Sequence, residues 1–396
     1  MLPQLRQLLD HKWLVRLRQD QSIREALFAF LLTRILIFAI LISVPYVKIV
    51  PPNDPYINLE NAQIARQLRR TFAQADTNHY MGIAQEGYGR EPFDVNSRRS
   101  QTYAFFPLFP MLLWVLRQTT NDAMLWGSAL CNLFFFFALV LLYRLTLMFG
   151  YGDTVARRTI FYVAAFPVSY FFSAPFTEPI FLFLTVASFY AAKRERWWLA
   201  GVIGMFAAAT RVPGVLLLPS LLVLNWQMYR SLQIRKTLGL LLIPVGLFSY
   251  MFFAWRMTGD ALAFLHASAA WGRKPSIFFL GPLFTYLVHP YEIVAGWHFN
   301  LLNASCALLS FFCIYILVRR REWAFALYTF LSLLLPLSTG VLQSLERYTM
   351  GFFPVFIALA YAVRSEHQDQ AIRFVFVFLL GIMTLLFTIG LAMALS

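Results

Sequence analysis

The feature that most constrains this chain is a succession of apolar blocks, most of them long enough or nearly long enough to cross a lipid bilayer. They run near residues 26–44, 122–148, 159–176, 177–192, 197–210, 212–227, 238–255, 293–318, 323–339, 349–363 and 373–394. A membrane-crossing helix takes about 20 apolar residues. A membrane β-barrel would need short segments of alternating polarity, and these blocks do not alternate. Only 13% of the 396 residues are charged, against about a quarter in an ordinary soluble domain. The expected fold is therefore an all-α polytopic membrane protein, a helical bundle of about ten or eleven spans.

The formal charge of +14 would raise nucleic acid as a partner in a soluble domain. Here the Lys and Arg residues sit mostly between apolar blocks, which reads as topology and headgroup contact, with no nucleic-acid partner. Cys131, Cys306 and Cys313 fall inside apolar blocks and read as small core residues. Residues 1–25, carrying Arg6, Lys12, Arg16, Arg18 and Arg24, read as a cytoplasmic amphipathic helix at the membrane surface and not as a cleavable signal. Residues 26–396 read as one transmembrane domain, interrupted by a long first extracytoplasmic loop, 45–121. Within that loop Ala104–Leu116, with its FFPLFP run, is too short to cross and is expected to dip into the outer face.

The remaining loops divide into two sets. One holds Arg157 and Arg158; Lys193, Arg194 and Arg196; Arg230, Arg235 and Lys236; Arg319, Arg320 and Arg321; and Arg364 and Arg373. These are short and cation-rich and, with the basic N-terminus, are placed in the cytoplasm. The other set holds the long first loop, Phe176–Glu178, Thr210–Gly214, Met257–Ile277 and Ser338–Tyr348. Every chemically interesting motif falls in this second set, so the site is expected on the extracytoplasmic face.

The strongest constellation is Asp76-Thr-Asn-His79-Tyr80. A carboxylate there can act as general base if a dry environment raises its pKa, and His79, three residues on, shares its helix face. The plainer alternative makes Asp76 the N-cap of a helix starting at Asn78 or His79. Arg211 and Arg347 stand at span edges, where a guanidinium usually faces a cavity and a partner. A phosphate at headgroup depth fits both, and snorkelling to lipid headgroups is the alternative. Glu178 is a lone carboxylate expected to pair with one of these arginines or to complement a helix dipole. Trp271 and Arg273 are placed to stack on and hydrogen-bond a sugar, or to anchor at the interface. Arg34, midway through the first span, is expected in an intramembrane ion pair. Asn303-Ala-Ser305 matches a glycosylation sequon inside a span and reads as unused. No Walker loop or GxGxxG follows a strand, and no second carboxylate is spaced to share a divalent metal with Asp76, so neither nucleotide nor metal finds support.

The run from Asp76 through Pro110 (Asp-x-x-His-Tyr-x-x-Ile-Ala-x-x-Gly-Tyr, then Ala-Phe-Phe-Pro-Leu-Phe-Pro) resembles the PIG-V mannosyltransferases and their bacterial relatives. Phe166-Pro167 with Phe176-Thr177-Glu178, Thr210-Arg211 with Gly214, Gly259-Asp260 through Arg273, and Arg347-Tyr348 with Phe353-Pro354 follow in that family's order. The resemblance implies a GT-C fold whose first outer loop bears a catalytic Asp, matched by Asp76. It implies a polyprenyl-phosphate-linked sugar donor, typically of mannose, and an inverting transfer to a lipid or glycan acceptor hydroxyl. Arg211 and Arg347 would then bind the donor phosphate, and His79, Tyr80, Glu178, Trp271 and Arg273 the sugar and acceptor. Where the family usually has Trp before the Asp, this chain has Ala75, which puts the sugar identity in doubt. The sequence names no acceptor and no partner subunit. A transporter or flippase would be expected to show repeats and polar breaks at mid-membrane, which the sequence lacks; a non-catalytic scaffold is the other alternative.

Overall fold

The computed structural model describes residues 20–43, 64–120, 122–290, 293–295 and 298–389. The described chain is almost wholly helical, with one two-stranded antiparallel ladder, Ile293–Ala295 with His298–Phe299. Six helices are long and apolar enough to cross a membrane: Gln21–Ser43, Ala123–Met148, Val212–Tyr229, Ile234–Thr258, Asn300–Arg319 and Glu366–Thr388. Three shorter apolar helices, Trp197–Ala208, Trp323–Leu337 and Phe353–Ala362, pack among them. The integral-membrane helical architecture expected from the apolar blocks is the one the chain adopts, and several of the blocks form helices shorter than a full-length crossing.

The block 159–176 shows why. It forms the end of the helix Asp153–Ala164, an irregular stretch and a single 3-10 turn, Ser169–Phe172. Pro167 and Pro175 lie in it, and proline cannot donate the bond that carries a helix onward. Its apolarity comes from burial by protein: residues 159–182 are buried without exception. Glu178–Lys193 is enclosed in the same way between Ala123–Met148 and Trp197–Ala208. An apolar run enclosed by other helices faces no lipid and need not match the bilayer's thickness.

The broken stretch exposes carbonyls inside the bundle, and Arg34 satisfies them. Its guanidinium donates to Ser169 O at 3.1 Å, Ala164 O at 3.1 Å and Ser173 Oγ at 3.3 Å, bonds the Ser169 hydroxyl, and lies 4.8 Å from the Phe135 ring centroid. The expected intramembrane ion pair is thus replaced by a guanidinium solvated by backbone. Arg34→Met would remove these donors; Ala164 O keeps the Ser169 hydroxyl at 2.6 Å, so the loss falls mainly on Ser169 O, at about 1–3 kcal/mol for a buried group left unsatisfied. A lowered thermal unfolding midpoint in detergent is the expected result; an unchanged midpoint would mean that carbonyl is satisfied by another donor.

The first span begins earlier than its apolar run, at Gln21, so residues 21–25 belong to it and not to a surface helix. Residues 1–19 of the expected surface helix, and residues 44–63 with Pro45, lie outside the described residues. The FFPLFP run leads into Leu108–Thr119, twelve residues, a helix of about 18 Å that is too short to cross.

The two loop sets occupy opposite ends of the bundle. Arg320 lies over the rings of Tyr151 and Tyr361, Arg158 pairs with Asp369 at 3.3 Å, Lys236 pairs with Glu195 at 3.6 Å, and Gln227 donates to Arg321 O. These contacts gather the cation-rich loops at one end. Asn303, near the other end of the helix Asn300–Arg319, accepts from Leu345 N at 2.8 Å and Glu346 N at 3.3 Å. It thereby fixes the short helix Leu345–Gly351, which carries Arg347. Sixteen helical residues separate Asn303 from Arg319, about 24 Å along the axis.

Candidate active site

Four segments far apart in sequence bring two carboxylates and two guanidiniums into contact. Asp76 opens the helix Asp76–Glu86, and the turn before it is pinned by the buried Gln74, whose amide donates to Thr71 O at 2.6 Å and Phe387 O at 2.9 Å. Ala75 there has φ 49°, ψ −136°, a conformation that costs a non-glycine residue about 1–3 kcal/mol. Glu178 opens its helix with Pro179 at the second position. Arg211 sits in the tight turn after Trp197–Ala208, where Gly214 is needed: a Cβ there would lie 2.3 Å from the Ala207 backbone. Arg347 rides on the helix that Asn303 holds.

Glu178 Oε1 is the hub. It accepts from Arg211 Nη1 at 2.7 Å, Arg347 Nη2 at 2.7 Å and Arg347 Nε at 3.1 Å. Arg347 Nη2 also donates to Asp76 Oδ2 at 2.7 Å. Side-chain exposure is 2% for Glu178, 8% for Arg347 and 16% for Arg211, but 25% for Asp76, so Asp76 is the most exposed member of the network. The Arg347 guanidinium lies over the rings of Phe171 and Phe176. Arg211 and Arg273 flank the Tyr348 ring at 5.1 and 5.5 Å. Tyr80 OH stands 3.3 Å from Thr177 Oγ1, which also accepts from Arg211 at 3.3 Å. His79 stacks on Phe105 with centroids 4.5 Å apart and meets the edge of Trp271 at 5.9 Å.

Asp76 is not a helix cap: the N-cap residue is Ala75, and no side chain caps the turn. Nor is its pKa raised. Burial works in that direction, but the charge and hydrogen bond of Arg347, with smaller contributions from His79 and Arg211, hold the carboxyl below the usual carboxylate range. It is ionised at neutral pH. Burial pushes His79 below its ordinary 6.5, Asp76 pulls it back up, and the Arg98 charge pushes it down again, leaving the imidazole neutral at pH 7.

Two cavities meet at this network. The larger, about 830 Å³, is lined by His79, Asn78, Arg98, Arg99 and Thr102 among others. The smaller, about 260 Å³, is lined by Tyr80, Arg211, Phe264, Arg273 and Tyr348 among others. Asp76, Trp271, Gln343, Ser344 and Arg347 line both. All eight residues singled out from the sequence gather here, seven of them on a cavity wall and Glu178 behind the wall as the hub. Thr177, Tyr348, Phe105 and Arg98 also take part and were not singled out. Tyr348 could have been found from the Arg347-Tyr348 pair, whereas Arg98 lies in a run of surface-like charge with no distinguishing signal. Among the described residues no group of three or more His, Cys, Asp or Glu side chains comes together.

The sequence family described as Mannosyltransferase (PIG-V) matches residues 22–236, more than half of the chain, a stretch that includes Asp76, Glu178 and Arg211. The chain belongs to the PIG-V mannosyltransferase family. It is similar to GPI alpha-1,6-mannosyltransferase 2 of Mus musculus, 27% identical over 213 residues that cover 48% of this chain and 41% of that protein. The Cricetulus griseus protein of the same name is 27% identical over 220 residues, 51% of this chain and 42% of its own length. This PIG-V family member therefore matches only about two-fifths of the length of these relatives. Among solved structures it is similar to the Archaeoglobus fulgidus oligosaccharyltransferase tethered to an acceptor peptide, with TM-score 0.42 and 12% identity over 92% of this chain and 55% of that one. The same enzyme complexed with Zn and sulfate gives TM-score 0.40 and 13% identity over 91% and 52%.

Proposed function

We propose that this chain is a GT-C-type membrane glycosyltransferase that moves a sugar, mannose by family, from a polyprenyl-phosphate donor to an acceptor hydroxyl, with inversion. The observation that carries the reading is the ion-paired Asp76–Arg347–Glu178–Arg211 network at the junction of two cavities. By the distribution of its cationic loops the chain holds its N-terminus in the cytoplasm and the site on the extracytoplasmic face of the membrane.

The smaller cavity takes the donor. Arg211, Arg273 and Arg347 converge on it, while Glu178 behind them orients two of the three. The donor's phosphodiester carries one negative charge and leaves as a phosphomonoester with one more, so cations aimed at it stabilise the transition state more than the ground state. The larger cavity takes the acceptor. An acceptor bearing a lipid chain has somewhere to lay it: an apolar groove of about 720 Å³, lined by Pro110, Met111, Trp114, Phe206 and Phe253, meets this cavity at Glu86, Gly87 and Tyr88.

Asp76 stands between the two. It accepts the proton of the acceptor hydroxyl as that oxygen bonds the anomeric carbon and the carbon–phosphate oxygen bond breaks. A carboxylate held by Arg347 is a weak base. The donor phosphate competes for the same guanidinium, and drawing Arg347 toward it restores basicity to Asp76 once the donor is in place. His79, stacked on Phe105, and Trp271 shape the sugar's surroundings.

The direct test is purified protein given a polyprenyl-phosphate mannose and no acceptor. Slow release of mannose from this lipid, and none from a nucleotide sugar, is expected; failure to bind or consume any lipid-linked sugar would end this reading. A pH profile adds a second check. In the profile of kcat/KM, which reports the free enzyme, Asp76 contributes no acid limb between about pH 5 and 8, where histidine is the side chain that ordinarily titrates. The limb belongs to His79, with a midpoint below 6.5. Because the Arg98 charge lowers that value, Arg98→Ala moves the limb to higher pH. A limb that stays in place would detach His79 from catalysis.

A further inference from the structure

We propose that residues 277–288 insert into the membrane, their apolar side chains lying in the hydrocarbon of the leaflet on the same side as the active site. The segment follows Trp271 and Arg273 in the chain and precedes the helix Asn300–Arg319. Its side chains are among the most exposed apolar groups of the molecule: Ile277 92%, Phe278 71% and Phe284 69%. Exposed apolar groups scattered singly are ordinary, but a contiguous run of this kind marks an interaction surface.

Three observations identify the occupant as lipid. First, the helix Gly281–Val288 packs on Asn300–Arg319, burying Pro282, Leu283 and Tyr286 and turning Phe284, Leu287 and Val288 outward. The span it packs on shows an exposed apolar stripe of its own in Leu301, Leu308 and Phe312. Both packed elements thus leave apolar faces exposed, and a span's exposed face meets hydrocarbon. Second, eight helical residues extend about 12 Å against a hydrocarbon thickness of about 30 Å, so the helix is too short to cross, and Phe279 N, Gly281 N, Phe284 N and His289 N donate to Ile277 O, Phe278 O, Leu280 O and Thr285 O, pairing much of the segment's backbone locally. Third, the segment enters at a fixed level: Lys274 N donates to Thr339 O at 2.9 Å and Ser276 N to Ser338 O at 2.8 Å, at the C-terminal end of Trp323–Leu337. Exposed Lys274 stands just before the apolar run, where cations face lipid headgroups. Inserted in this way, the segment sets the Trp271–Arg273 wall of the cavities at headgroup depth.

The test places single cysteines at Phe278 and Phe284, with Glu91→Cys as the aqueous reference and Leu308→Cys as the lipid reference. The native Cys131, Cys306 and Cys313 are buried. Each site is labelled with a nitrobenzoxadiazole fluorophore and the protein is placed in phosphatidylcholine nanodiscs. Labels at 278 and 284 are expected to be reduced by dithionite several-fold more slowly than the label at 91, and to be quenched by doxyl-labelled lipid as the label at 308 is. Reduction as fast as at 91 would overturn the proposal. So would a photo-crosslinker at 284 that captures a second protein chain instead of lipid. Neither readout depends on activity, so the outcome is independent of the proposed transfer reaction.

Discussion

Replacing Asp76 with Asn is expected to lower turnover by about a hundred- to ten-thousandfold, the range a positioned general base contributes, while leaving donor binding largely intact. The amide keeps the shape of the carboxylate and can still face Arg347, but it cannot take a proton from the acceptor. Glu178 continues to hold both arginines, because its contacts with them do not pass through Asp76. The kinetic signature is therefore a fall in kcat with KM for the lipid donor little changed. A variant that loses donor affinity in proportion to turnover would show Asp76 to be a binding residue. A variant that retains wild-type turnover would show that a group other than Asp76 takes the acceptor's proton.

The second large effect is on stability and falls on Arg347. Two carboxylates and two guanidiniums make a network with no net charge, and Arg347 is the only member touching both acids. Arg347→Met leaves Glu178 paired with Arg211 but strips Asp76 of its ion-pair partner. Removing one partner of a buried pair costs about 3–5 kcal/mol, and the quarter exposure of Asp76 places the cost toward the lower end. The double variant Arg347→Met with Asp76→Asn has one acid and one base left, still paired, and is expected to recover a large share of the lost stability. Thermal unfolding of the two single variants and the double variant measures this without any substrate. Strictly additive losses would show that the ion pair carries no coupling energy.

Much of this was legible in the residues because the bilayer simplifies the reading. An apolar block of bilayer length has few fates, and Ala123–Met148 and Asn300–Arg319 both became long helices. The same rule does not separate lipid-facing from protein-enclosed runs, since 159–176 owes its apolarity to burial within protein, which lipid and protein enforce alike. Charged groups near membrane depth need partners, and that rule picked out Glu178, Arg211 and Arg347 from their isolation in apolar surroundings. It could not say which partner: Glu178 took both arginines, and Arg34 took carbonyls that only the break after Ala164 makes available. The sign of the Asp76 shift was also out of reach. Burial and a neighbouring cation act in opposite directions, and which prevails depends on a 2.7 Å contact between residues 271 positions apart.

The proposed mechanism rests on Asp76 acting as a base in a single displacement, and the anomeric configuration of the product reports on that most directly. With a polyprenyl-phosphate mannose donor of known configuration and an acceptor that the enzyme uses, nuclear magnetic resonance of the product should show the opposite configuration at the transferred carbon. Retention, with a sugar trapped covalently on Asp76, would make that carboxylate a nucleophile and contradict the account.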